Sequence, residues 1–61
     1  MTLLDLSRAI RVLPPGQRAA FVLRAVEGRP YREVAAALEC SQEAARTRVA
    51  EAMKKVRAHV R

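Results

Sequence analysis

The stretch Tyr31–Val49, YREVAAALECSQEAARTRV, decides how this chain is read. Residues 31–38 hold no helix breaker and set Val34, Ala35 and Leu38 on one side of a short helix. A break follows at Glu39-Cys40-Ser41, and Ser41 is a good N-cap for a further helix starting at Gln42. In that helix Ala45, Val49, Ala52 and Val56 fall within an arc of about 60°, taking 100° per residue, and this seam is expected to face a core. The helix reaches from Gln42 to near the chain end, a length of ~30 Å. Two helices joined by a short turn, the second capped and strongly basic, have the layout of a helix-turn-helix. Ala35 is small enough to let the pair approach closely. Cys40 and Ala45 occupy the places where apolar residues plug the angle between them, and Cys40 reads as a small buried hydrophobe.

Upstream of this pair, Pro14-Pro15-Gly16 and Gly28-Arg29-Pro30 punctuate the sequence and mark off two more helices. The first spans roughly Leu3 to Val12, with Leu3, Leu6, Ile10 and Leu13 at helical spacing, and Thr2 with Asp5 has the form of a capping box. The second runs from Pro15, acceptable in a first turn, to Gly28, whose missing Cβ suits a C-terminal cap. No strand-like alternation, low-complexity segment or repeat interrupts the pattern. The chain is expected to be a single all-α domain over residues 1–61, four helices with a helix-turn-helix and no winged element. The expected core is Leu6, Ile10, Phe21, Leu23, Val34, Leu38, Ala45, Val49 and Val56.

Composition narrows the function. A chain of 61 residues buries only roughly 60% of the surface its unfolded form exposes, so its stability is small. A single cysteine, Cys40, excludes an internal disulfide, and it has no partner spacing that would make a zinc site with His59. No nucleophile, base and orienting group can be assembled, and no Gly-rich phosphate loop is present, so the protein is expected not to be an enzyme. No cofactor, metal or small-molecule substrate is expected. No apolar run approaches the ~20 residues of a membrane span, and the N-terminus lacks a secretory layout, which makes a cytoplasmic location the expectation. Twelve Lys/Arg against six Asp/Glu give a net charge of +6, which calls for a polyanion as partner. Residues 46–61 carry Arg46, Arg48, Lys54, Lys55, Arg57 and Arg61 against Glu51 alone, and so hold five of those six charges.

On the last helix the polar residues of the first turns, Gln42, Glu43, Arg46 and Thr47, are positioned to enter a major groove. Arg46, Lys54, Arg57 and Arg61 lie within about 80° of one another, a cationic stripe able to follow phosphates. Arg46 fits either a bidentate pair with guanine or a phosphate contact. Glu43 fits either acceptance from cytosine N4 or the helix dipole. Arg48 sits near the edge of the apolar arc, where a contact to DNA and a salt bridge to a neighbouring helix are both open. Tyr31 and Arg32 open the third helix and are candidates for the DNA backbone. Apolar residues left over from the core, Val22, Ala25 and Val26, are candidates for a protein partner.

The words of the sequence add a resemblance. Leu13-Pro14 with Gln17-Arg18, Glu27-Gly28, Tyr31, Glu33-Val34-Ala35, Leu38, Ser41, and Arg46-Thr47-Arg48-Val49 with Ala52 resemble the pattern LP-x-x-QR, EG-x-S-Y-x-E-I-A-x-x-L, S and K-S-R-L-x-x-A of region 4 of bacterial sigma factors. The chain looks closest to the extracytoplasmic-function group. The resemblance implies double-stranded promoter DNA at the −35 element as ligand, the flap of RNA polymerase core as docking partner, and an anti-sigma factor as a possible regulator. It also implies a longer native factor carrying a region 2. Against the pattern, Glu39 stands for the usual turn glycine, Ala44-Ala45 for a Thr-Val pair, Pro30 for a serine and Glu51 for an arginine. Glu39 is expected to be left-handed. Ala44 and Glu51 are expected to remove a polar contact and to reverse a charge on or near the DNA side. Two other readings stay open: a sigma-like decoy that binds an anti-sigma factor without reading DNA, and a LuxR-type output domain.

Overall fold

A computed structural model describes residues 2–59. Four helices follow in order: α1 (Leu3–Arg11), α2 (Pro15–Phe21) continuing into a π-helical turn (Val22–Val26), α3 (Tyr31–Leu38) and α4 (Gln42–His59). No strand occurs among the described residues, so the all-α reading holds.

Each boundary has a local cause. At α1 the Asp5 N–H donates to Thr2 Oγ1 at 3.1 Å and the Thr2 N–H to Asp5 Oδ2 at 3.4 Å, a complete capping box. The bond from the Thr2 side chain, with that from its backbone, holds the Asp5 carboxyl below its ordinary value. The turn into α2 is closed by Arg18, whose Nη2 donates to the carbonyl of Arg11 (3.1 Å), which the end of α1 leaves unsatisfied, and to that of Leu13 in the turn (3.0 Å). Pro15 begins α2 without loss, because its missing N–H has no partner in a first turn.

Downstream the expectation of one regular helix to Gly28 needs correction. From Val22 the turn widens, and the Glu27 N–H donates to the Val22 carbonyl five residues back, at 3.0 Å. Five residues without Gly or Pro are too few for hydrophobic spacing to distinguish this from an α-helix. Gly28, at φ +69, then reverses the chain. Ser41 Oγ accepts from the Ala44 N–H at 3.0 Å and starts α4 as expected.

The core has two clusters, and α4 serves both. Ala9, Leu13 and Phe21 pack with Ala52 and Val56 of α4. Ala20, Val34 and Ala35 pack with Ala45 and Val49. Met53, half-buried, touches both groups. At 1.5 Å per residue α4 is about 27 Å long, close to the 30 Å long axis of the molecule, and every other helix packs on it.

Several expected core residues are corrected. Leu6, Ile10, Leu23 and Leu38 are only half-buried, and Cys40 likewise. Leu3 is 86% exposed, in the first turn of α1. Val34, Ala45 and Ala52 are fully buried as expected, and Ala9 and Ala20, which were not expected, join them at the centre. Helices that meet across alanines come close, so that beside the buried Leu13, Phe21 and Val34 the other large aliphatic groups lie at the margins of the contact.

Candidate nucleic-acid interface

The N-terminal turns of α4 present Gln42, Glu43, Arg46 and Thr47 to solvent, while Ala45 beside them is fully buried. The cap places the positive end of the helix dipole at this edge, where Glu43 is the acidic residue of the first turn. Ala44 is half-buried here. Arg32, next to the first residue of α3, is exposed.

One flank of α4 forms a groove of about 640 Å³ against the π-helical turn and the start of α3. Arg24, Arg46, Lys54 and Arg57 line it, over a floor that includes Val49 and Met53. Tyr31, half-buried, is covered by two guanidinium groups: the Arg24 Cζ lies 4.6 Å and the Arg46 Cζ 5.2 Å from the ring centroid. These distances are those of cation–π contacts. Arg24 Nη1 also donates to the Arg29 carbonyl at 3.0 Å. Arg29 itself is neutralised by Glu27 (2.8 Å) and Glu33 (3.1 Å), whose carboxylates raise its pKa. Both pairs are exposed and so add little stability. They do take the two acids of this loop out of play as partners for the groove.

The opposite flank differs. Gln17 Nε2 donates to Glu51 Oε2 at 3.0 Å, tying α2 to α4. Glu51 is therefore drawn to the α2 side of α4. Its carboxylate, expected to set a negative charge on or near the DNA side, also makes a contact between helices. Arg48 is half-buried and makes no ion pair among the described residues.

The family model of sigma-70, region 4, matches residues 3–56. The chain belongs to the sigma-70 region 4 family. No curated protein and no solved structure matches the chain. Sigma-70 region 4 is a DNA-binding, helix-turn-helix domain of transcription factors and not an enzymatic family, and its partners are promoter DNA and RNA polymerase. No helix among the described residues is long and apolar enough to cross a membrane.

In this region 4 domain the stripe read from the sequence is brought together in part. Arg46, Lys54 and Arg57 share the groove, and Tyr31 joins them; Arg61 lies outside the described residues. Ala25 also lines the groove, whereas Val26 is 60% exposed and Val22 half-buried. Arg24 was not singled out by sequence reasoning. It lies in the second helix, far in sequence from the basic cluster, and only the packing of the widened turn against α3 and α4 brings it to Tyr31.

Proposed function

We propose that the domain recognises the −35 promoter element as part of an extracytoplasmic-function sigma factor docked on RNA polymerase. The observation that supports this best is the capped α4, which offers exposed Gln42, Glu43 and Thr47 at its N-terminal turns beside a groove lined by four cations. In that arrangement side chains at the helix start reach base edges, and the basic flank carries the phosphates. Titration with a pool of random-sequence duplexes, followed by sequencing of what is bound, tests it. One enriched motif is expected, with affinity that falls steeply as salt rises. Salt-dependent binding without enrichment would overturn base reading and leave a basic surface, as the decoy reading requires.

The exposure of Val26, with Val22 and Ala25 near it, supports a second contact. We propose that this face takes an apolar helix of the polymerase flap or of an anti-sigma factor. Val26→Asp should weaken binding to polymerase core by more than about 1 kcal/mol, with duplex affinity and helical content unchanged. Full polymerase binding by this variant would move the docking face elsewhere.

A further inference from the structure

Arg46 fits either a base or a phosphate by its position on α4, and its conformation favours one of these. Its guanidinium lies over Tyr31, on the groove flank. Arg24 approaches the same ring, and its hydrogen bond to the Arg29 carbonyl fixes its aim. Two guanidinium groups carry more N–H donors than the ring and one carbonyl can use. Lys54 and Arg57 add like charge along the same groove, and no acidic residue lines it among the described residues. Like charges gathered over an apolar floor repel one another, and a bound anion relieves this.

We infer that Arg24 and Arg46 clamp a backbone phosphate of the DNA strand beside α4, with Tyr31 as the residue that positions both. Lys54 and Arg57 continue the track. Arg46 then contributes affinity and register, and base reading falls to Gln42, Glu43 and Thr47. This inference rests on the DNA-binding reading and assigns roles within it.

The test uses the 61-residue chain, a duplex carrying the selected motif and a scrambled duplex of equal length, each titrated over a salt series. Arg24→Gln and Arg46→Gln should each weaken both duplexes by the same factor and reduce the slope of log affinity against log salt by about 0.9, the value for one phosphate contact. Tyr31→Phe keeps the ring and should match the parent protein. Tyr31→Leu should weaken both duplexes, and should have no further effect once Arg24 and Arg46 are both replaced. If Arg24→Gln loses helical content, Arg57→Gln on the same groove carries the comparison of slopes. A loss with Arg46→Gln confined to the selected duplex would assign it a base and overturn the clamp. An unchanged slope with Arg24→Gln would do the same, as expected of a groove that takes an acidic protein segment. A parent chain that binds neither duplex at any salt concentration overturns the DNA-binding reading itself, and the clamp with it.

Discussion

Glu39 ends α3 at φ 56 and ψ 47, a left-handed conformation that its Cβ opposes. The turn is held all the same by two reversed bonds, from the Cys40 N–H to the Ala35 carbonyl at 3.0 Å and from the Glu39 N–H to the Ala36 carbonyl at 3.3 Å. This is the Schellman arrangement, which glycine occupies without strain. A carboxylate at that position also meets the negative end of the α3 dipole. Glu39→Gly should therefore stabilise the domain by about 1 kcal/mol, which raises Tm by roughly 4–8 °C in a domain of this size. Thermal unfolding of the two proteins checks it, and an unchanged or lower Tm for the variant would mean that the Glu39 side chain makes a compensating contact. This strain was legible through the resemblance, whose pattern has a glycine where this chain has Glu39. Arg24 was not legible, since no local rule connects it to Tyr31 or Arg46.

The helices were read well where their ends are set by neighbours in sequence. Thr2 with Asp5 and Ser41 with Ala44 bond across three residues, and with Pro15 at the start of α2 and Gly28 after the π-helical turn they lie at the breaks expected. The seam of α4 was equally plain, because Ala45, Val49, Ala52 and Val56 repeat at helical spacing and all four are buried. The π-helical turn was hidden for the opposite reason. Its bonds differ from those of an α-helix by one residue of reach, and Val22–Val26 contains nothing that demands the longer one. Yet this turn decides the site, because it carries Arg24 and Ala25 on the wall of the groove. Of the candidate interface, the residues at the start of α4 were named from sequence, and Arg24, whose place depends on how α2 leaves the core, was not.

At the scale of the whole molecule the question is why alanines hold the centre. A domain of 61 residues has little interior, and at 0.05–0.15 kcal/mol per residue its stability is about 3–9 kcal/mol. Close approach of helices fills such an interior without large side chains, since backbone and Cβ atoms supply the contacts. Sequence patterning marks which face is apolar but favours the larger residues as core, and that is why Leu6, Ile10, Leu23 and Leu38 were expected inside in place of Ala9 and Ala20. Ala45 is the sharpest case: it is fully buried where α4 meets Val34 and Ala35 of α3 and Ala20 of α2. A leucine there has no space and must push α3 from α4, at a cost of about 1–3 kcal/mol, a large part of the total. Ala58→Leu, on an exposed position of the same helix, should change stability by less than about 0.5 kcal/mol. Urea unfolding of both variants separates added bulk from position. Because α3 and the π-helical turn form the groove with α4, Ala45→Leu should also loosen the stack on Tyr31 and weaken duplex binding beyond what the unfolded fraction explains. Equal stability of the two variants would show that the helices have room to spare at Ala45, and that close approach is not what holds this domain together.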